Sequence, residues 1–136
     1  MTGQPTVLLV DDDVGFLKAT SLVLEEAGFH VLTAPDGRSG LAAAMEQKPD
    51  VIVADVIMNR PDEGFALARA IRADAGLADV KLLLLTAVGQ HYEMLFEPDE
   101  QWLPVDKVLE KPTTGEELVA ELSNLLDQPA NDGDRT

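Results

Sequence analysis

The chain has 136 residues, enough for one domain that buries a hydrophobic core, and 46% of them are hydrophobic. A formal charge of −15 and a pI near 4.2 disfavour binding to nucleic acid and to anionic membrane surfaces. No cysteine, secretory signal or apolar run near the ~20 residues of a membrane span is present, which excludes disulfides and thiolate sites and predicts a cytoplasmic protein.

Short apolar runs alternate with helical patterns along the chain. In chain order the predicted elements are a strand over residues 7–10, a helix over 14–27, a strand over 29–34, a helix between Asp36 and Pro49, a strand over 51–55, a helix over 64–75, a strand over 81–86, a strand over 108–110 and a helix that carries apolar residues to 126. Continuous apolar runs are typical of strands buried on both faces. Because parallel strands need crossover connections, the pattern predicts an α/β fold with a doubly wound, five-stranded parallel sheet and helices on both faces.

Polar residues mark the predicted helix ends. Asp13 and Asp36 are placed to cap the starts of two helices, and Thr114 with Glu117 has the spacing of a capping box before the last one. Gly28 is placed to end the first helix in the left-handed conformation. These signals support the helix boundaries independently of the hydrophobic pattern.

Polar groups also follow the apolar runs. Asp11 and Asp12 end the first run, Asp55 the third, Thr86 the fourth and Lys111 the fifth. Because parallel strands end at one edge of the sheet, these side chains are expected to lie together, where open α/β sheets bind ligands. Each residue alone has an ordinary structural explanation, such as a helix cap or a surface lysine. Their joint placement is what indicates a functional site.

Three carboxylates crowded at one edge would repel each other, and a hard divalent cation resolves that repulsion. Mg²⁺ prefers oxygen ligands and is commonly shared with phosphate, so it is the expected cofactor, with Mn²⁺ as a possible substitute. Thr86 and Lys111 are suited to hold phosphoryl oxygens. An aspartate placed between a metal and a lysine can act as a nucleophile and form an aspartyl phosphate.

With these residues in this order, the sequence resembles the receiver domain of bacterial response regulators, over about residues 6–127. The resemblance implies a flavodoxin-like fold with strand order 2-1-3-4-5, flanked by a tail over 1–5 and a disordered tail over 128–136. It implies that Asp55 is the phosphoacceptor and that Asp11 and Asp12 help to hold Mg²⁺.

The remaining site residues follow from the same resemblance. Ile57 corresponds to the position whose backbone carbonyl binds the metal, and Thr86 to the switch residue, with small Ala87 beside it. Lys111 corresponds to the phosphate-binding lysine, and the bond before Pro112 is typically cis in the family. The separations of 31 residues from Asp55 to Thr86 and 25 from Thr86 to Lys111 are also similar to those of a receiver.

The sequence departs from the family pattern in two places, Val108 and the segment 58–64. Val108 occupies the position where the family usually has a switch aromatic, so the usual coupling from threonine to aromatic residue is in doubt. The segment 58–64 is longer than the common Met-Pro-x-x-x-Gly turn. The segment 89–106 has no clear pattern, and with 58–64 it suggests a subfamily with its own partner surface.

Ile57 and Val88, two positions after Asp55 and Thr86, are expected to flank the phosphoryl group. Both side chains are apolar and bulky, so neither can orient an attacking water. We therefore expect slow self-dephosphorylation.

The expected function is that of a stand-alone phosphorylation switch or phosphorelay intermediate, since no output domain fits after Leu126. It would accept phosphate from a histidine kinase or phosphotransfer protein and then bind a protein target, as a monomer or a weak phosphorylation-dependent dimer. We expect no nucleic-acid or membrane partner, and no catalysis beyond its own phosphorylation and slow dephosphorylation.

Two alternatives remain. A haloacid-dehalogenase-like phosphohydrolase would use Asp11 as its nucleophile, but it needs an acidic pair after the lysine, where only a helix and a tail follow Lys111. A receiver-like binding module would never be phosphorylated, and Val108 keeps that hypothesis open.

Overall fold

The computed structural model describes residues 4–56, 63–86, 105–110 and 114–127. In chain order its elements are β1 (Thr6–Val10), α1 (Val14–Glu26), β2 (His30–Ala34), α2 (Gly37–Gln47), β3 (Val51–Asp55), α3 (Glu63–Arg72), a 3₁₀ turn (Ala75–Leu77), β4 (Lys81–Thr86), β5 (Lys107–Glu110) and α4 (Gly115–Asp127). Within these ranges no helix is long and apolar enough to cross a membrane.

The strands form one parallel sheet in the order β2-β1-β3-β4-β5. The strand order reverses between β1 and β3. These two strands are neighbours in the sheet although the paired residues Val10 and Ala54 are 44 positions apart in the chain. The predicted α/β fold, with its five-stranded sheet of order 2-1-3-4-5, is confirmed.

Two hydrophobic clusters cover the two faces of the sheet. Successive residues of each central strand belong in turn to one cluster and then to the other, as the two-residue period of a strand requires. Leu8 and Ile52 belong to the cluster that includes residues of α2 and α3, whereas Leu9 and Val53 belong to the one that includes residues of α1 and α4. The helices therefore lie on both faces, and the apolar runs of the sequence are continuous because both faces are buried.

The predicted helix caps are present. The carboxylate of Asp13 accepts from the N–H of Phe16 at 3.0 Å, and that of Asp36 from the N–H of Ser39 at 2.8 Å. Thr114 and Glu117 form a reciprocal capping box: the N–H of Glu117 donates to Thr114 Oγ1 at 3.0 Å and the N–H of Thr114 to Glu117 Oε1 at 3.1 Å. These side chains satisfy backbone donors that the first turn of a helix leaves without partners.

Gly28 follows α1 with φ +103°, the left-handed conformation that glycine adopts without a steric cost, as predicted.

α3 is shorter than predicted. Its helical pattern extends to Ala75, but the helix ends at Arg72 and a separate 3₁₀ turn follows. Asp74 explains the break, since its carboxylate accepts the N–H of Gly76 at 2.8 Å and offers the backbone an alternative to the helical hydrogen bond. The turn buries Leu77, which extends the apolar face of α3 without continuing the helix.

Arg72 and Asp106 clamp the end of α3 to the start of β5. Arg72 donates to the carbonyl of Val80 at 2.7 Å and forms an ion pair of 2.9 Å with Asp106. The same Asp106 oxygen accepts the N–H of Leu82 at 2.7 Å, and the N–H of Asp106 donates to the Leu82 carbonyl at 2.8 Å. Val108, two residues further on, is half-buried against the cluster on the α2 and α3 face.

Several predictions concern residues outside the described ranges. The residues concerned are most of the tail over 1–5, the tail over 128–136, most of the loop over 58–64 and most of the segment over 89–106. They stay predictions.

Candidate functional site

The register of β1 and β3 places Asp11 and Asp55 side by side. Val10, the last residue of β1, pairs with Ala54 in β3, so the next residue of each chain segment is an aspartate at the carboxyl edge of the sheet. Both carboxylates are buried, with Asp11 1% and Asp55 8% exposed. The carboxyl ends of β1 and β3 therefore place two buried acids next to each other at the topological switch point of the sheet.

Asp12 completes an acidic cluster with these two residues. One carboxylate oxygen from each of Asp11, Asp12 and Asp55 lies within 4.8 Å of the others. Asp12, unlike its two partners, is exposed. Buried carboxylates this close together are costly unless a cation or hydrogen bonds compensate their charge. The cluster is the expected one, built from the first and third strands.

The backbone around Asp11 fixes the direction of its side chain. Its N–H donates to the carbonyl of Ala34 at 3.1 Å, and its Oδ1 accepts the N–H of Asp13 at 2.9 Å. Because Asp13 also caps α1, the third acid of the run serves the helix and its neighbour rather than the cluster. Aspartate commonly accepts the backbone N–H two residues later in a turn, so Asp11 itself was a signal for this contact in the sequence.

Asp55 rests on a tightly packed backbone. After Asp55, the N–H of Val56 donates to the carbonyl of Leu85 at 2.8 Å, and the N–H of Gly64 donates to the carbonyl of Val56 at 2.9 Å. A β-carbon at Gly64 would lie 2.6 Å from the Val56 Cα and would overlap the Asp55 carbonyl oxygen. The first turn of α3 therefore packs directly on the backbone that carries Asp55, a contact that the sequence analysis did not identify.

Thr86 is the last residue of β4, and its backbone pairs with Glu110 of β5. Since Asp55 pairs with Leu85, Thr86 lies one residue further towards the carboxyl edge than Asp55. Lys111 directly follows Glu110 in sequence but lies outside the described ranges, as do Ile57, Ala87, Val88 and Pro112. The structure thus brings together Asp11, Asp12 and Asp55, and the roles of these and of the other predicted site residues stay predictions.

The donor set of the acidic cluster fits a hard divalent cation. All its ligand atoms are carboxylate oxygens, which Mg²⁺ and Mn²⁺ prefer, and the sequence has no cysteine that could supply a thiolate ligand. Asp12 leaves the cluster open to solvent, and Mg²⁺ usually keeps several waters. The site is therefore suited to a cation that shares its coordination sphere with water or with a phosphate group.

Comparison with known proteins agrees with this geometry. The family model described as the response regulator receiver domain matches residues 7–123. The DNA-binding dual master transcriptional regulator RpaA of Synechocystis sp. is 36% identical over 123 residues, which are 90% of this chain and 49% of that protein. The phosphate regulon transcriptional regulatory protein PhoB of Pseudomonas aeruginosa is 32% identical over 128 residues, 93% of this chain and 53% of that protein. The chain spans about half the length of these curated relatives.

Solved structures show the same similarity. The chemotaxis response regulator CheY4 of Vibrio cholerae superposes with a TM-score of 0.79 at 30% identity, over 90% of this chain and 98% of that one. The receiver domain of a sensor histidine kinase from Pseudomonas aeruginosa superposes with a TM-score of 0.78 at 26% identity, over 93% of this chain and 100% of that one. In that crystal structure a magnesium ion is coordinated in the active site cleft.

Proposed function

This chain belongs to the response regulator receiver domain family, and on that premise we propose that it is a phosphorylation switch whose phosphoacceptor is Asp55. We propose that the receiver domain covers residues 6–127. Receiver domains are signalling domains rather than enzymes that turn over a substrate. The only catalysis proposed for this chain is its own phosphorylation and slow dephosphorylation.

One observation carries the proposal. Asp55 lies at the end of the central strand β3, nearly buried, with carboxylate oxygens of Asp11 and Asp12 within 4.8 Å. A lone buried acid could serve as a structural hydrogen-bond acceptor, but three acids at a switch point are suited to binding a cation. The receiver family match supports a phosphoryl-transfer role for that cation site.

The transfer step needs little from the protein beyond placement. A carboxylate oxygen of Asp55 forms a bond to phosphorus, while the bond between phosphorus and the donor's histidine nitrogen or acyl oxygen breaks and leaves its electron pair on the donor. A bound Mg²⁺ would offset part of the negative charge that three carboxylates and a phosphoryl group bring together. Asp11 and Asp12 would hold that ion, with the Ile57 carbonyl as a further ligand.

Thr86 and Lys111 are proposed to bind the phosphoryl oxygens after transfer. Thr86 would supply a neutral hydroxyl donor and Lys111 a cation. Thr86 ends β4 at the edge that carries Asp55, and Lys111 is the residue after Glu110, whose backbone pairs with Thr86. Contact of Thr86 with the phosphoryl group would then report phosphorylation to β4 and β5.

The proposed donor is a histidine kinase or a phosphotransfer protein in the cytoplasm, and the proposed output is a changed surface for a protein target. The charge of −15 favours partners with basic docking surfaces. RpaA is named as DNA-binding, and this chain aligns with about half of it. A monomer or a weak phosphorylation-dependent dimer is the proposed state.

The phosphohydrolase alternative is not favoured. It would make Asp11 the nucleophile, whereas Asp11 is held by the N–H of Asp13 and lies beside the strand end that carries Asp55. The family match over residues 7–123 points to the receiver.

Incubation with MgCl₂ and acetyl phosphate, followed by intact mass measurement and site mapping, tests the proposal. We expect one phosphoryl group on Asp55 that depends on Mg²⁺ and is absent from Asp55→Asn. Phosphate-ester turnover that depends on Asp11 would instead support the hydrolase. The absence of any modification, with acetyl phosphate or with a phosphorylated histidine kinase, would support the passive binding module.

A further inference from the structure

Glu63, the first residue of α3, reaches the start of a different helix. Its Oε2 accepts the backbone N–H of Gly37, the first residue of α2, at 2.6 Å, although 26 positions separate the two residues. The N–H groups of a first helical turn lack partners within the helix and carry partial positive charge, so a carboxylate binds there favourably. The contact ties the N-terminal ends of α2 and α3 together.

The local structure is adapted to this contact. A β-carbon at Gly37 would lie 3.0 Å from both Cγ and Oε2 of Glu63, so a glycine at this position leaves room for the carboxylate. Asp36, the residue before, directs its own carboxylate to the N–H and hydroxyl of Ser39 at 2.8 and 2.9 Å. The first turn of α2 thus uses one local and one remote carboxylate, each on a different donor.

The residue after Glu63 is the one that packs on the phosphoacceptor strand. The N–H of Gly64 donates to the carbonyl of Val56 at 2.9 Å, and no β-carbon fits between Gly64 and the backbone of Asp55. Movement of the start of α3 would therefore be transmitted to Asp55 through direct backbone contact, without an intervening flexible side chain. The Glu63 carboxylate in turn binds the N–H of Gly37 at the start of α2, and α2 packs on β1 and β2.

We infer that Glu63 is a positioning residue for the acidic cluster: by tying the start of α3 to α2, its carboxylate sets the place of Asp55 relative to Asp11 and Asp12. This inference rests on the proposed function, because it concerns the site that would bind Mg²⁺. Three carboxylate oxygens within 4.8 Å bind a cation well only if their separations are held, and ligand geometry depends on the residues that support the ligands.

The experiment compares three variants of the full chain with the wild type. Glu63→Ala removes the carboxylate that binds Gly37. Glu63→Gln removes the same negative charge but keeps an oxygen that can accept the Gly37 N–H, so it separates geometry from electrostatics. Asp50→Ala is the matched control, because Asp50 Oδ2 accepts the N–H of Thr6 at 2.7 Å in a comparable tie between distant residues, at the opposite edge of the sheet.

The dissociation constant of Mg²⁺, measured by titration calorimetry on the unphosphorylated protein, is the main readout, with urea unfolding and the rate of phosphorylation by acetyl phosphate beside it. Glu63→Ala is expected to weaken Mg²⁺ binding about tenfold, in the range typical of lost supporting contacts around a metal site. Glu63→Gln is expected to restore binding to near the wild-type value. Asp50→Ala is expected to lower stability but to leave Mg²⁺ binding within about twofold, since distant sites act independently.

If the wild type binds Mg²⁺ and Glu63→Ala binds it with the same dissociation constant, the inference is overturned and the proposed function stays intact. Equal weakening in Glu63→Ala and Glu63→Gln would also overturn it, since charge rather than position would then be responsible. A wild-type chain that neither binds Mg²⁺ nor accepts phosphate would refute the proposed function, and the inference with it.

Discussion

Asp13 holds Asp11 in place through its backbone: the N–H of Asp13 donates to Oδ1 of Asp11 at 2.9 Å. The side chain of Asp13 does something different, since it caps α1 by accepting from Phe16. Three consecutive acids that look equivalent in the sequence therefore divide into two members of the acidic cluster and one helix cap.

This division predicts different effects of three single substitutions. Asp11→Asn and Asp12→Asn each remove a carboxylate from the cluster and are expected to weaken Mg²⁺ binding by at least about tenfold. Asp13→Asn keeps both the N–H that orients Asp11 and a side-chain oxygen suited to capping, so binding is expected to stay within about twofold. Titration calorimetry of the three variants measures their Mg²⁺ affinities. A loss of Mg²⁺ affinity in Asp13→Asn as large as in Asp11→Asn and Asp12→Asn would contradict this division of roles.

The close contact of Gly64 with Asp55 predicts that Gly64→Ala damages both stability and the site. Overpacking costs about 1–3 kcal/mol in general, and here the neighbouring atoms belong to the backbone and cannot rotate away. Gly115→Ala is the matched control, because its β-carbon would lie 2.7 Å from a methyl carbon of Val23, in the packing of α1 against α4.

We expect urea unfolding to show a loss of stability in both glycine variants, and Mg²⁺ titration to show weaker binding only in Gly64→Ala. Equal Mg²⁺ affinity in the two variants would mean that the packing of α3 on β3 does not set the position of Asp55.

Replacement of Ile57 or Val88 by a polar residue such as asparagine is expected to speed the loss of phosphate from Asp55. The reason is chemical, since a polar side chain next to the phosphoryl group can orient an attacking water and neither apolar side chain can. Both positions lie outside the described ranges, so this prediction depends on the sequence alone. Phosphate release from the purified phosphoprotein measures it; wild-type loss within seconds, or no effect of either substitution, would refute the idea.

Asp36 gives the fold a pH-dependent contribution. The backbone N–H of Ser39, together with its hydroxyl, lowers the pKa of Asp36 below its ordinary value of 3.8. A group with a depressed folded-state pKa stabilises the protein above its unfolded-state pKa, and this stabilisation is lost as the pH falls through the folded-state pKa.

Asp36→Asn keeps a capping side chain without the charge, so its stability relative to the wild type isolates this effect. The wild type is expected to be more stable at neutral pH, and the difference is expected to shrink as the pH falls below 3.8. Urea unfolding of the pair across that range is the measurement. A difference that does not change with pH would show that the Asp36 charge contributes nothing.

Most of the fold was predictable because its determinants are local. The buried strands appear as apolar runs, and the caps Asp13, Asp36 and Thr114 act on N–H groups within three residues of themselves. The acids of the cluster were predictable because they follow such runs, and parallel strands end at one edge. The strand order came from the resemblance rather than from the residue pattern.

The contacts that could not be predicted join distant positions. Glu63 and Gly37 are 26 residues apart, and Arg72 and Asp106 are 34 apart, so no local period or spacing marks them. The end of α3 at Arg72 was missed for a different reason. Asp74 competes for backbone donors just where the apolar pattern still continues, and a side chain of that kind outweighs periodicity at a helix end.

The contacts of Asp106 with Leu82 and Arg72 have a consequence for substitutions elsewhere in the chain. Its N–H and carboxylate are both bonded to the backbone of Leu82, and Arg72 fastens the carboxylate from a second element. The point at which the chain rejoins the sheet is thus anchored by residues that are all outside the stretch between Thr86 and Val105. Substitutions within that stretch leave these anchors in place, so β5 is expected to keep its register.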